Sequence, residues 1–187
     1  MIVLISACSS SGKTLMAQTL LEKYKMPYYS IDHIKMGLFR SDENCGFHPC
    51  DDDEIIAHKL WPMLKGIIMT AIENNQNLVM EGCYILPKFI NEFEASYRRQ
   101  IVPIFFGFSE AYLREHFHKD IKRYRNIVET RETPDDRPIE FFLECHNKLK
   151  CDCKTHGVKY HEIQVNYQEE TMLIYDYIDE FMKLGKS

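Results

Sequence analysis

Short runs of apolar residues alternate along the chain with longer segments in which apolar residues recur at helical spacing. Buried parallel strands read as continuous apolar runs because helices cover both of their faces, so the runs predict strands at 2–7, 28–31, 78–81, 101–106 and 158–165. The helical spacing predicts helices at about 13–24, 33–40, 51–74, 109–128, 139–155 and 168–184, with a shorter helix after Pro87. This alternation predicts an α/β fold with a mostly parallel five-stranded sheet and helices on both faces.

Two prolines lie inside these predicted elements. Pro62 is within the helix at 51–74, and we expect it to kink or split that helix because proline lacks a backbone N–H. Pro103 lies within the strand at 101–106, although proline prefers the edges of sheets.

The size and composition of the chain fit one globular domain. Its 187 residues predict a single domain, 1–187, with room for an inserted lid. Hydrophobic residues make up 45% and charged residues 27%, which is ordinary for a globular protein. The formal net charge of −5 argues against a nonspecific nucleic-acid binder, which needs a basic face. We expect no nucleic-acid partner, and either a monomer or a homodimer.

The cysteines and the N-terminal segment indicate a cytoplasmic protein. The seven cysteines are scattered and odd in number, which fits reduced thiols better than a disulfide framework. The apolar run at 2–5 is too short for a membrane span and lacks the basic residues that open a secretory leader. We therefore expect no membrane partner.

Cysteines are also zinc ligands, so a zinc site is an alternative role for them. Cys151 and Cys153 lie near His146 and His156 in the sequence. Structural zinc sites use two pairs with C-x₂₋₄-C spacing, and a C-x-C pair has the wrong reach. We expect no zinc.

A phosphate-binding motif follows the first predicted strand. The pattern G-x-x-x-x-G-K-[ST] is matched by residues 7–14, with Ala7 in place of the first glycine. In such a loop backbone N–H groups cradle phosphates, the lysine reaches the β- and γ-phosphates, the hydroxyl binds Mg²⁺, and the following helix offers its positive end. The predicted nucleotide-binding residues are Ser9, Ser10, Ser11, Gly12, Lys13, Thr14 and Leu15. Of these, Lys13 is also predicted to be catalytic and Thr14 to be a metal ligand.

An ordinary Ser/Gly-rich turn that caps a helix is the alternative interpretation of this motif. Its position between a strand and a helix, at the start of an α/β pattern, favours the phosphate loop. Cys8 lies inside the loop, where a helix N-terminus lowers the pKa of a thiol. We expect Cys8 to be sensitive to oxidation rather than catalytic.

The layout resembles the nucleoside and nucleotide kinase branch of the P-loop proteins, which includes adenylate, shikimate and gluconate kinases and chloramphenicol phosphotransferase. Segments 28–40 (YYSIDHIKMGLFR) and 81–84 (EGCY) also resemble small bacterial proteins described as adenylate-kinase-like or 2-phosphoglycerate-kinase-like. The likeness covers nearly the whole chain. It implies a three-layer P-loop NTPase fold with a small lid and with ATP and Mg²⁺ as cofactors, and it leaves the phosphate acceptor open.

Two acidic residues follow predicted strands, where ligands of open parallel sheets bind. In the resembling kinases an Asp at the place of Asp32 contacts the acceptor hydroxyl and takes its proton, so Asp32 is the predicted base and acceptor anchor. A helix N-cap is the alternative role. By the same likeness Glu81 binds Mg²⁺ or orients the acceptor, although the resembling adenylate kinases have the shorter Asp there. Gly82 would let the acceptor approach the backbone.

Basic residues near these positions are candidates for binding an anionic acceptor. Lys35 and Arg40 lie on the helix after Asp32, within a predicted acceptor-binding region at about 33–75. A solvated surface position is the alternative for each of them.

The resemblance places a lid at about 114–140, a segment rich in lysine and arginine. Phosphoryl transfer depends on charge neutralisation, so we expect at least one arginine near the γ-phosphate. Arg123 is the first candidate for catalysis, with Arg125 as a nucleotide ligand and Arg131 as an acceptor ligand. A solvated basic helix face is the alternative. The likeness also places Asn166 and Tyr167, with Val165 before them, against the adenine through backbone or stacking contacts.

Taken together, these residues predict a kinase that transfers the γ-phosphate of ATP to a small molecule. The acceptor classes are a nucleoside or nucleotide, a sugar acid, or a phosphoglycerate-like compound. Two alternatives remain open. One is a regulatory ATP-binding or ATPase switch that has no small acceptor, and the other is a kinase of nucleotide sugars that resembles the zeta toxins.

Overall fold

The computed structural model describes residues 1–124, 128 and 136–184. The strands are β1 (Ile2–Ser6), β2 (Tyr28–Ser30), β3 (Leu78–Glu81), β4 (Ile101–Phe108) and β5 (Tyr160–Ile163). The helices are α1 (Lys13–Tyr24), α2 (Ile31–Ser41), α3 (Asp53–Glu73), α4 (Pro87–Ile90), α5 (Ala95–Arg98), α6 (Glu110–His116), α7 (Lys122–Tyr124), α8 (Ile139–His156) and α9 (Tyr167–Leu184). A π-helical segment, Phe117–Ile121, joins α6 to α7.

The strands form one parallel sheet in the order β2-β3-β1-β4-β5. The central strand is β1, in which Ile5 lies opposite Glu81 of β3 and Ile104 of β4. Because the strands all run in one direction, their carboxyl ends meet at one edge of the sheet. The predicted α/β architecture is confirmed, and every strand pairing in the described chain is parallel.

Burial on both faces explains the continuous apolar run of β1. Ile2 and Leu4 face a core that α3 and α4 complete, whereas Val3 and Ile5 face a second core that α1, α6 and α9 complete. All four side chains are fully buried. A strand covered on both faces needs an apolar residue at every position, so its sequence shows no alternation.

Pro103 is tolerated in an interior strand because no neighbouring strand needs its N–H. The ladder between β1 and β4 begins where the Ile2 N–H donates to the Gln100 carbonyl. N–H groups alternate sides along a strand, so at position 103 the nitrogen points away from β1. On that side β5 begins only opposite Phe105. The proline therefore removes no bond from the sheet.

Several element boundaries differ from the predictions. Pro62 does not split α3, because it lies on the exposed face of that helix, where water can satisfy the carbonyl that it leaves free. The helix predicted at 109–128 is capped by the Ser109 hydroxyl, which accepts from the Tyr112 N–H at 3.2 Å, but it changes to the π-helical segment at Phe117. That change brings both Phe117 and Ile121 into the core.

Among the described residues, α3 is the helix that is long and apolar enough to cross a membrane. Inside the protein, 44% of its most apolar stretch is buried. Ile56, Leu60 and Leu64 of this helix recur at helical spacing and pack in the core beside β1 and β3. This burial is typical of a core helix.

Gly107 of β4 allows two rings to approach the backbone of the sheet. A Cβ atom at this position would overlap both the Nδ1 of His146 and the hydroxyl of Tyr160. Nδ1 of His146 accepts a hydrogen bond from the Phe108 N–H at 3.3 Å. Burial lowers the pKa of His146 to about 4, so the ring is neutral and contributes packing rather than charge.

We expect Gly107→Ala to lower the free energy of unfolding by about 1–3 kcal/mol, because the added methyl group has to displace the rings of His146 and Tyr160. Urea unfolding measures this change. The matched control is Gly66→Ala in α3, where nothing lies within 4 Å of the new Cβ atom. Alanine should raise stability there by about 0.5–1 kcal/mol through helix propensity. Equal effects at the two positions would contradict the packing role of Gly107.

Candidate active site

The loop between β1 and α1 turns through two residues in the left-handed conformation. Ser10 has φ 61° and Gly12 has φ 91°, and Gly12 occupies the N-cap position of α1. Alternation of left-handed with other residues turns successive backbone N–H groups toward one concavity, which is an anion-binding arrangement. The first turn of α1 carries no acidic side chain of its own, and the positive end of its dipole faces the loop.

Two polar groups in this loop are prepared for an anion. The Lys13 ammonium is buried and donates to the carbonyl of Cys8 at 2.9 Å, which holds it across the loop. The Ser11 hydroxyl is buried, and no hydrogen-bond partner for it lies in the described part of the chain. Buried polar groups normally have partners, so an unpaired hydroxyl next to left-handed backbone fits a loop that binds phosphate.

Tyr167 closes the loop from the side of α9. Its hydroxyl donates to the carbonyl of Ser11 at 3.2 Å, and burial raises the pKa of this hydroxyl. A Cβ atom at position 12 would overlap the Tyr167 hydroxyl. Gly12 is therefore required both by its positive φ and by the tyrosine that packs on it.

Glu81 lies beside the loop at the end of β3 and is only 2% exposed. Its Oε1 accepts a hydrogen bond from the Thr14 hydroxyl at 3.3 Å. Burial raises the pKa of the Glu81 carboxyl, while the charge of Lys13 acts in the opposite direction. The hydroxyl and the carboxylate are hard oxygen donors at one point, which is the ligand chemistry that Mg²⁺ prefers.

Asp32 lies in the first turn of α2. That helix begins at Ile31, and its N-cap is Ser30, two residues before Asp32. The interpretation of Asp32 as the N-cap is therefore wrong. The side chain of Asp32 is 36% exposed, and its Oδ1 lies 3.1 Å from the Lys35 ammonium and 3.3 Å from the Tyr84 hydroxyl. The carboxylate is thus at the carboxyl edge of the sheet and reachable from solvent.

The two basic candidates on α2 have different environments. Lys35 is buried and donates to the Tyr84 hydroxyl at 2.6 Å, in addition to its ion pair with Asp32. Arg40 is exposed in the last turn of α2. The structure therefore brings Lys35 to Asp32 and leaves Arg40 on the solvent side of the helix.

Three residues of this edge were not selected from the sequence as site residues: Asp53, Cys83 and Tyr84. Asp53 begins α3, and burial raises the pKa of its carboxyl while a hydrogen bond with the Cys83 thiol and the charge of Lys35 lower it. In the sequence, Asp53 belongs to a run of acidic residues at the start of a helix. Helix capping alone explains such a run, so it does not point to a functional site. The Asp52 side chain indeed caps α3 by accepting from the Glu54 N–H at 2.8 Å.

Gly82 and Asn166 have structural contacts in addition to their predicted roles. A Cβ atom at Gly82 would lie 2.9 Å from the Cβ of Ile31, so glycine lets α2 pack on the end of β3. The Asn166 side chain accepts from the N–H groups of Gln168 and Glu169 at 3.0 and 3.2 Å and thereby caps α9. Val165, which precedes it, is 81% exposed at the rim of the loop after β5.

The predicted lid is described only in part. Arg123 lies exposed on α7, whereas Arg125 and Arg131 lie outside the described residues. Arg137, within the same basic segment, stacks its guanidinium 4.2 Å from the ring centre of Phe141. A hydrogen bond with the Cys145 thiol, together with burial, raises the pKa of Cys8, so the lowered pKa expected for a thiol at a helix N-terminus is wrong. The same hydrogen bond lowers the pKa of Cys145. The Arg137 charge contributes to the lowered pKa of Cys145 on α8.

The cysteines and histidines considered for zinc are not assembled in the described chain. Within residues 1–124, 128 and 136–184, no group of three His, Cys, Asp or Glu side chains could hold a metal ion. Cys153 is fully buried in the core, whereas Cys151 is exposed on the same helix.

We expect Tyr167→Phe to lower the free energy of unfolding by about 1 kcal/mol, because the Ser11 carbonyl loses its donor. The loop also becomes less ordered, so affinity for a MgATP analogue should fall several-fold in titration calorimetry. Tyr29→Phe is the matched control, because Tyr29 is an exposed tyrosine on β2. Unchanged nucleotide affinity in Tyr167→Phe would show that this contact does not order the loop.

No protein-family model matches the chain, and no curated protein matches it in sequence. Solved structures do match it. The shikimate kinase from Bacteroides thetaiotaomicron has a TM-score of 0.58 and 12% identity, over 96% of this chain and 98% of that one. The shikimate kinase from Aquifex aeolicus has a TM-score of 0.54 and 11% identity, over 96% and 97%. A gluconokinase from Sinorhizobium meliloti has a TM-score of 0.51 and 17% identity, over 99% and 97%. At these identities the likeness concerns the fold, and the chain has the fold of the P-loop small-molecule kinases.

Proposed function

We propose that this protein is an ATP-dependent kinase that phosphorylates a hydroxyl group of a small molecule in the cytoplasm. The observation that carries the proposal is the meeting of Lys13, Thr14, Glu81 and Asp32 at one edge of the sheet. Three of these are the parts needed to hold a nucleotide phosphate and its metal ion. The fourth, Asp32, is a carboxylate that an acceptor can reach.

The residues of the loop fit MgATP. Gly12 gives the loop its left-handed turn, the Ser11 hydroxyl is available to a phosphate oxygen, and the Lys13 ammonium lies across the loop. Thr14 and Glu81 would hold Mg²⁺, Thr14 directly and Glu81 directly or through water. Bound MgATP would supply the phosphoryl group to be transferred.

The acceptor would bind between the start of α2, the start of α3 and the end of β3. In this position Asp32 accepts the proton of the acceptor hydroxyl, as a positioned carboxylate does in other kinases. A lid arginine would stabilise the transferred charge. Arg123, Arg125 and Arg131 remain the proposed candidates.

The first experiment tests nucleotide binding. We expect a MgATP analogue to raise the melting temperature of the protein, and Lys13→Ala to abolish that rise because the phosphates lose their bound cation. Lys154→Ala is the matched control, since Lys154 is an exposed lysine on α8. If Lys13→Ala keeps the full rise, the loop does not bind the nucleotide phosphates.

The second experiment tests the role of Asp32. Candidate hydroxyl compounds are first screened for added thermal stabilisation in the presence of the MgATP analogue. With a compound that passes, Asp32→Asn should lower the rate of phosphoryl transfer by about 10²–10⁴-fold, while affinity for the nucleotide changes little.

The control for this experiment is Asp42→Asn, because Asp42 is an exposed aspartate at the C-terminal end of α2. Turnover that survives Asp32→Asn, with no stabilising acceptor found, would contradict the kinase and favour a regulatory ATPase.

A further inference from the structure

Asp32, Lys35 and Tyr84 form a closed triangle of polar contacts. The Lys35 ammonium lies 3.1 Å from Asp32 Oδ1 and donates to the Tyr84 hydroxyl at 2.6 Å. The Tyr84 hydroxyl donates to the same Oδ1 at 3.3 Å. Two donors that converge on one carboxylate oxygen restrict the rotation of that carboxylate.

The triangle is built from inside the protein. Lys35 is 8% exposed and Tyr84 is 3% exposed, so neither side chain is a mobile surface group. The Lys35 ammonium also lies 5.0 Å from the centre of the Tyr84 ring, which is within the range of a cation–π contact. A buried ammonium is retained only where partners compensate for its lost hydration, and Asp32 and Tyr84 are such partners.

The charges around Asp32 explain what the lysine does. Burial is the main cause that raises the pKa of Glu81 at the end of β3 and of Asp53 at the start of α3, and the charge of Asp32 raises both further. Lys35 is a cation in contact with this carboxylate, 3.1 Å from Asp32 Oδ1. Loss of that cation would shift Asp32 toward its protonated form, because a neighbouring positive charge favours the carboxylate.

We propose that Lys35 and Tyr84 are positioning residues that hold Asp32 in one orientation and keep it ionised for proton acceptance. The inference rests on the proposed function, in which Asp32 is the base. It also gives Lys35 a different role from the one expected from the sequence. The Lys35 ammonium orients Asp32 through two of its three N–H donors. Its positive charge stabilises the ionised carboxylate of Asp32 rather than binding an anionic acceptor.

The test uses the full chain and two variants, Lys35→Met and Tyr84→Phe. Asp32 is titrated by ¹³C NMR of its side-chain carboxyl, with the signal assigned through Asp32→Asn. In parallel, phosphate release from MgATP, with water as the acceptor, is measured as a function of pH. We expect Lys35→Met to raise the midpoint of Asp32 by about one pH unit or more, because a cation beside a carboxylate lowers its pKa by that amount.

The acid limb of the rate profile should move by the same amount as the NMR midpoint in Lys35→Met. Tyr84→Phe removes the hydrogen bond to Asp32 and the one from Lys35 but no charge, so it should lower the rate with a smaller change in the midpoint. Neither variant should weaken binding of the MgATP analogue more than about twofold, since both residues lie on the acceptor side. A merely structural role would lower the melting temperature without moving the titration of Asp32.

Matched controls exist for both variants. Lys88→Met breaks an ion pair between a lysine and Glu54 at 2.8 Å, and Tyr97→Phe breaks a hydrogen bond to Glu73 at 2.6 Å. An Asp32 midpoint that stays unchanged in a folded Lys35→Met variant would overturn the positioning role. If the midpoint shifts but Asp32→Asn leaves phosphoryl transfer intact, the assignment of Asp32 as the base fails instead. The two failures are therefore distinguishable.

Discussion

The parallel pairing of β1 with β3 is the contact on which the candidate site depends. It places Ile5 opposite Glu81, so the phosphate loop that leaves β1 and the acidic residue that ends β3 reach the same edge together. β2 pairs with the other side of β3 and delivers α2, with Asp32 in its first turn, to that edge. The two cores on either face of the sheet hold these strand ends in place. Because the apolar strands supply this packing, the loops that follow them can carry polar residues.

Most of the charged and hydroxyl groups at this edge are partly buried, away from bulk water. Burial raises the pKa of the Glu81 and Asp53 carboxyls, and Lys13 and Lys35 act against that increase. Each lysine is also anchored, Lys13 on the Cys8 carbonyl and Lys35 on Tyr84 and Asp32. Groups that are oriented before a ligand arrives need little reorganisation when it binds, and such preorganisation is the main source of electrostatic catalysis.

The fold could be predicted from the sequence because its signals are local. A continuous apolar run predicts a doubly covered strand, and a Gly-Lys-Thr sequence between a strand and a helix predicts a phosphate loop. How the two prolines inside these elements are tolerated depends instead on the surroundings of single residues. Pro62 leaves α3 intact because it faces solvent, and Pro103 is accepted in β4 because β5 has not yet begun beside it.

The sequence by itself determined the layered α/β architecture, the phosphate loop, and the acidic residues that follow β2 and β3. Each of these follows from residues that are adjacent in the chain. Only the tertiary structure decided the partners of those residues. Tyr167 reaches Ser11 from a helix that begins more than 150 positions later, and Tyr84 joins Lys35 and Asp32 from beyond β3. Contacts of this kind leave no periodic pattern in the sequence, because packing between distant segments sets them.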